Sequence, residues 1–169
     1  MCSNNYKSIN VNFNFYLPSI IRNNIIKKVE YIIKIMFLYK WYININFINN
    51  RDIKIFNNKW KNKNRNTDIL SFPCNYFPYK TYILGDIIIS LEKTIYQSII
   101  FGTNIIKEIS ILIIHGILHL MLINHEKNLN EEKLQNRLEM NILYKMKNSC
   151  TITLCNRENY ILKIIYYIG

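Results

Sequence analysis

From Thr103 to Ile123 the chain reads TNIIKEISILIIHGILHLMLI, which wound as a helix is apolar on nearly every side. Such a helix must be enclosed by the rest of the molecule, because no face of it favours water. Its longest stretch without a charge, Ile109 to Ile123, holds two histidines and falls short of the ~20 apolar residues that a bilayer requires. The segment is therefore expected to be the central buried helix of a folded domain rather than a membrane span. All three histidines of the 169 residues sit at its end, in the window HGILHLMLINH from His115 to His125.

The remaining segments supply what could surround such a helix. INVNFNFY (Ile9–Tyr16) and YININF (Tyr42–Phe47) alternate apolar and polar residues with the period of half-buried strands. Between them, after Pro18, Ile21, Ile25, Val29, Ile32, Ile33 and Met36 recur at helical steps. NNRDIKIFNNKW reads as a short polar helix, KNKNRN (Lys61–Asn66) as a basic loop, and DILSFP as a short strand stopped by Pro73. YILGDIII (Tyr82–Ile89) reads as a buried strand, followed by Ser90 as a helix N-cap. A final amphipathic helix from Asn130 to about Met146 carries Leu134, Leu138, Ile142 and Leu143 on one side. The pattern predicts an α+β (α/β-type) fold, with a small mixed sheet of about four strands packed against several helices. Residues 1–148 are expected to form a single domain, leaving 149–169 as a β-prone C-terminal extension without an assigned role.

Composition colours the charge. Ile, Asn, Lys, Tyr and Phe dominate and alanine is absent, which points to an A/T-biased genome such as that of a reduced bacterial symbiont or an organelle. The formal net charge of +11 suits an anionic partner, nucleic acid being the commonest, but A-rich codons also produce lysine without function. Cys2, Cys74, Cys150 and Cys155 form no CxxC pair and read as free thiols of a reducing compartment. MCSNNYKSIN lacks the apolar core of a secretory signal. A cytoplasmic location is expected, with an organelle matrix as the alternative, and no membrane partner.

His115 and His119 stand at i and i+4, so both rings leave one face of the helix about a turn apart. His125 follows six residues later, beyond the expected helix end, where the chain can curl back. Three neutral imidazoles with a fourth position open make a catalytic zinc site rather than a closed structural one. The spacing is shared with the metzincin proteases, but their general-base glutamate falls on Gly116, which has no side chain to take a proton. A metzincin-like protease is the least favoured reading.

HGILHLMLINH resembles the HGxLHLxGYDH motif of the YbeY family of metal-dependent endoribonucleases. FNNKWKNKNRNTDILSFP (Phe56–Pro73) resembles that family's LNxxYRxxDxPTDVLSFP, and LGDIIIS (Leu84–Ser90) its LGDIVIS, in the family's order. The resemblance covers roughly Ile9 to Met146. It implies one Zn2+ held by His115, His119 and His125, and hydrolysis of single-stranded RNA in the 3′-end maturation of small-subunit ribosomal RNA and in ribosome quality control. It also implies ribosomal RNA, and the small ribosomal subunit, as partners.

Departures from the family pattern are as informative. Lys61 stands where the family has arginine, Trp60 for tyrosine, Asn64 for aspartate and Asn66 for proline. In the histidine motif, Leu122 replaces a turn glycine, Ile123 a tyrosine and Asn124 an aspartate. If the backbone at 122 is left-handed, leucine there costs on the order of 1–2 kcal/mol. The family alignment makes Lys61 the candidate phosphate-holding cation beside His115 in catalysis, without arginine's bidentate fork. Lys59, Trp60, Lys63 and Arg65 form a basic, aromatic segment suited to RNA backbone contact and base stacking, though such a loop is equally often plain solvated surface. Asp68, Ser71 and Asp86 are candidate cleft-lining residues, the first two more in keeping with bracing a strand and loop. Glu139 reads as a surface or helix-packing residue. A non-catalytic ribosome-assembly or RNA-binding factor remains the competing reading, favoured by Lys61 and Leu122.

Overall fold

The computed structural model describes residues 9–38, 40–74, 82–122 and 129–148. Its elements run β1 (Ile9–Phe13), α1 (Ser19–Ile35), β2 (Tyr42–Ile48), α2 (Asn50–Lys61), β3 (Ile69–Pro73) and β4 (Ile83–Ser90). They continue with α3 (Leu91–Ile100), α4 (Ile105–Leu120) and α5 (Leu129–Asn148). The four strands form one mixed sheet in the order β1-β2-β4-β3, with β1, β2 and β4 parallel and β3 antiparallel to β4. This is the α+β arrangement that the alternating and helical periods predict.

Strand alternation divides the sheet into two unlike faces. The inner face carries Ile43, Ile45, Phe47, Ile87 and Ile89, all fully buried against α1 and α4. Helix α1 contributes Ile25, Val29, Ile32 and Ile33, the residues that the sequence period selects. Helix α4 lies at the centre, touching α1, α3, α5, β3 and β4. Ile109, Ile113, Ile114, Ile117 and Leu118 on it are wholly buried. At ~1.5–3 kcal/mol per large aliphatic side chain removed from water, this helix supplies a large share of the burial that holds the layers together.

On the outer face, rows of residues paired across the strands are polar toward β1 and apolar toward β3. Asn10, Asn44, Asp86 and Phe72 share one row, and Asn12, Asn46, Ile88 and Leu70 the next. The amides bond one another across strands: Asn10 Nδ2 and Asn12 Nδ2 donate to Asn44 Oδ1 (3.1 and 3.2 Å), and Asn12 Nδ2 also to Asn46 Oδ1 (3.0 Å). Asn44 Nδ2 donates to Asp86 Oδ1 at 2.7 Å. Helix α2 covers only the apolar end, where Ile53 packs with Ile48, Leu70 and Ile88.

Two glycines fix close approaches. Gly85 has φ +142°, and a Cβ there would stand 2.2 Å from the Phe72 carbonyl oxygen, so the β3–β4 pairing admits no side chain. A Cβ on Gly116 would meet Ile69 Cδ1 at 2.9 Å and Ile87 Cδ1 at 3.0 Å, which shows how tightly α4 seats on the sheet. Boundaries shift modestly from expectation. β1 ends at Phe13, α4 ends at Leu120 rather than Ile123, and Lys61 is the last residue of α2 rather than the start of a loop. Ser90 is the N-cap of α3, its side chain accepting from the Lys93 amide. No single helix among the described residues is long and apolar enough to cross a membrane.

Candidate active site

The helical spacing of His115 and His119 does bring their rings together. The centroids lie 4.5 Å apart, and the two Nε2 atoms approach to 2.9 Å. Gly116, between them in sequence, faces Ile69 and Ile87 on the sheet. A glutamate at 116 would be driven into that packing, so the position is closed to the metzincin base for a structural reason beyond the missing carboxylate.

His115 is oriented from α5. Its Nδ1 lies 2.8 Å from Glu139 Oε1, and the Gln135 amide nitrogen is 3.0 Å from the same oxygen. Gln135 Nε2 also comes within 2.9 Å of His115 Nδ1. With a carboxylate oxygen between them, both nitrogens donate to Glu139, and the imidazole proton sits on Nδ1. That leaves Nε2 of His115 with its lone pair directed at His119. Burial pushes the Glu139 carboxyl up, but the bonds from His115 and Gln135 and the two imidazoles outweigh it and hold it below the ordinary glutamate value. Glu139 is thus neither a surface nor a mere packing residue, contrary to its sequence reading. The overlooked signal is that Gln135, Glu139 and Ile142 fall at i, i+4 and i+7, on the stripe whose Gln135 and Ile142 are buried.

The donor set fits a transition-metal ion. Two imidazole Nε2 atoms converge on one point, and the outer nitrogen of one is fixed by a carboxylate, the usual support of a metal-ligating histidine. Two nitrogens at 2.0–2.1 Å from a tetrahedral zinc stand about 3.3 Å apart, so only a small opening of the observed pair is needed. Among the described residues no group of three or more His, Cys, Asp or Glu side chains gathers as a metal cluster. His125, the expected third ligand, lies outside the described residues, as do Cys2, Cys150 and Cys155. The helix end that leads toward His125 is strained: Leu122 has φ +63°, the left-handed conformation that its family glycine would adopt freely.

Helix α2, which carries Lys59, Trp60 and Lys61, packs on the outer face of the sheet, and α4 packs on the inner one. Asn62 caps α2 in a left-handed conformation, and buried Asn57 donates through Nδ2 to the Arg65 carbonyl (2.8 Å), folding the segment back on the helix. Lys61, Lys63 and Arg65 are exposed. Trp60, 61 % exposed, stands edge-on to Phe72 with centroids 5.9 Å apart, and Lys59 Nζ lies 5.5 Å over its ring. Trp60 and Phe56 form one wall of a cleft of about 610 Å³ whose floor includes Asn46, Asp86 and Ile88. Asp86 is on the floor of this outer-face cleft. Asp68 instead braces a loop, accepting from the Ile69 amide and from Gln97 Nε2, and Ser71 pairs with Ile87 in the inner-face register.

The family model for Endoribonuclease YbeY matches residues 10–147. The chain belongs to the YbeY family. Among curated members, Endoribonuclease YbeY of Persephonella marina is 33% identical over 132 residues, covering 77% of this chain and 86% of the relative. That of Syntrophomonas wolfei is 36% identical over 114 residues, 62% of this chain and 72% of the relative. A solution structure of a Thermotoga maritima protein superimposes with a TM-score of 0.52 at 21% identity, covering 88% of this chain and 99% of that one, which shows a shared fold. The YbeY match spans the α2–β3 segment, β4 and the histidine helix, the three stretches that sequence resemblance singles out.

Proposed function

We infer that this chain is a metal-dependent endoribonuclease acting on single-stranded RNA in ribosomal RNA processing, including small-subunit 3′-end maturation and ribosome quality control. The observation that carries the reading is the convergence of His115 and His119 Nε2 at 2.9 Å with His115 Nδ1 held by Glu139, in a chain of the YbeY family. Residues 1–148 act as one catalytic domain in the bacterial cytoplasm.

His115, His119 and His125 are the residues that would hold one Zn2+, the metal that three imidazoles favour. When bound, the ion supplies Lewis acidity at a phosphodiester and lowers the pKa of a water. The chain's own residues do the rest. Glu139, fixed by Gln135, keeps the His115 ring oriented and its Nδ1 protonated, so that Nε2 faces inward. Lys61, Lys63 and Arg65 draw the RNA backbone by charge, and Lys61 is the candidate for holding the scissile phosphate.

The test is direct. Purified protein and a His115→Ala variant are analysed for bound zinc and assayed on single-stranded RNA and on casein, with and without chelator. The reading expects near-stoichiometric zinc in the wild type and chelator-sensitive RNA cleavage that the variant loses. Zinc without cleavage, together with retained ribosome binding, would instead support the assembly-factor reading, which the strained Leu122 favours. Protein purified under zinc that holds no metal would remove the site assignment.

A further inference from the structure

The outer-face cleft is chemically unlike the histidine pair and stands on the other side of the sheet. Its wall is aromatic: Phe56 and Trp60, at i and i+4 on α2, with Phe72 of β3 set edge-on to Trp60. Its floor is polar, with the Asp86 carboxylate and the Asn46 amide. Neither floor group is saturated by its cross-strand bond. Asp86 accepts one hydrogen bond, from Asn44, whereas a carboxylate has about four acceptor sites. Asn46 accepts from Asn12 through Oδ1, which leaves its NH2 able to donate. A flat π-surface beside a fixed acceptor and a fixed donor complements a planar heteroaromatic ring with a hydrogen-bonding edge.

Charge narrows the occupant. Lys59 lies over the Trp60 ring, and Lys61, Lys63 and Arg65 follow on the same exposed segment. Cations at the rim with one carboxylate inside suit a ligand whose outside is anionic and whose inserted edge donates protons. A nucleotide base bearing an exocyclic amino group has both properties, and Asp and Glu accept from cytosine N4 in known base readout. We propose that the cleft formed by Phe56, Trp60 and Phe72 over Asp86 and Asn46 captures an unpaired base bearing an exocyclic amino group (cytosine, adenine or guanine) in preference to uracil, from a single-stranded RNA. The proposal rests on the reading of RNA as substrate and deepens it. It places a base-selective contact on the sheet face opposite the histidines, so that specificity and hydrolysis are carried by different residues. Leu120, next to His119, comes within 3.0 Å of where a Gly85 Cβ would be, and Asp86 follows Gly85.

The test uses the full chain and fluorescein-labelled 2′-O-methyl decamers of C, A and U, checked for intact length after titration by anisotropy. Wild-type protein is expected to bind the C and A decamers several-fold more tightly than U. Trp60→Ala should weaken all three about tenfold, within the range known for loss of a stacked base. Trp60→Phe should recover most of that loss, which a purely structural role would not allow. The salt dependence should keep its slope in Trp60→Ala, because no phosphate contact is removed. Asp86→Ala should level the preference for C and A over U. Equal wild-type affinity for the three decamers, or unchanged affinity in Trp60→Ala, overturns the proposal, including the case in which protein fills the cleft. His115→Ala separates the two readings: it should bind decamers as wild type does while losing cleavage. Base-selective binding without any cleavage would leave the cleft standing and remove the nuclease reading; cleavage without selectivity would do the reverse.

Discussion

The histidine pair and the aromatic cleft stand on opposite sides of one sheet, and they are built by opposite means. On the inner face, the histidine pair stands on a buried helix and is held by side chains from a second helix: Glu139 on His115, Gln135 on Glu139. On the outer face, the cleft sets exposed or half-exposed side chains beside buried Ile48 and Ile88, and its floor is positioned by strand register and an amide ladder. The first arrangement starts from a local i, i+4 spacing and is buttressed by side chains of α5. The second depends on distant segments arriving in register. Rigidity suits a centre where a small displacement is costly to catalysis, whereas an open, stacking surface suits a strand that must enter and leave.

The largest expected effect attacks the join between the faces. Gly85→Ala puts a Cβ on a φ of +142° and 2.2 Å from a backbone oxygen of β3. Strain and overpacking together should cost roughly 3 kcal/mol or more in urea denaturation, and an unperturbed midpoint would mean that β3 does not pair with β4 so closely. Next, Glu139→Ala frees the His115 ring and should weaken zinc binding 10- to 100-fold by competition with a chelating dye, as loss of such carboxylates generally does. Trp60→Ala, on the other face, should leave zinc affinity where it is. If both variants weaken zinc alike, the separation of the faces fails.

How much of this was legible beforehand follows from the same contrast. The inner layer is encoded in short-range periods: the step of three and four in α1, the alternation of β1 and β2, and the uniformly apolar α4 all locate the core. The histidine pair is legible because i, i+4 spacing needs no tertiary information. Glu139 reads as surface because a glutamate in an amphipathic helix is indistinguishable from a solvated one until the facing helix is known. Lys61 reads as the start of a basic loop, yet it is the last residue of α2, because helical hydrogen bonding continues to the Asn62 cap. The Asn10–Asn44–Asp86–Phe72 row cannot be seen in sequence at all, since its members come from four strands and only register aligns them.

A smaller effect is expected at Asp68, which braces the loop between the basic segment and β3. Burial pushes its carboxyl up, but bonds from Gln97 and from its own and the Ile69 amides, with the Lys93 charge, hold it below the ordinary aspartate value. A depressed folded pKa means that the carboxylate stabilises the fold above the unfolded pKa of about 4 and that this contribution is lost as pH falls through the folded value. Asp68→Asn should therefore lower stability by about 1–2 kcal/mol at pH 7, with the gap to wild type closing in acid. A constant gap across pH would show that the carboxylate's charge plays no part.

The smallest effect is a gain, at the point where the inner face is most compromised. Leu122 holds φ +63° one turn beyond His119, with its side chain 64 % exposed, so no burial offsets the conformational cost. Leu122→Gly removes the clash of a left-handed leucine but adds backbone freedom to the unfolded chain, and the difference should be a net gain of about 1 kcal/mol. For an ordinary domain of this size that is a rise of roughly 2–4 °C in melting temperature. The same substitution relaxes the backbone three residues after His119, so zinc affinity is measured beside stability. A gain in stability with no change in zinc affinity would mean that the strain is purely a folding cost. A gain in both would mean that the leucine has been holding the metal centre short of its best geometry, and that this site can be improved by restoring the residue its family motif contains.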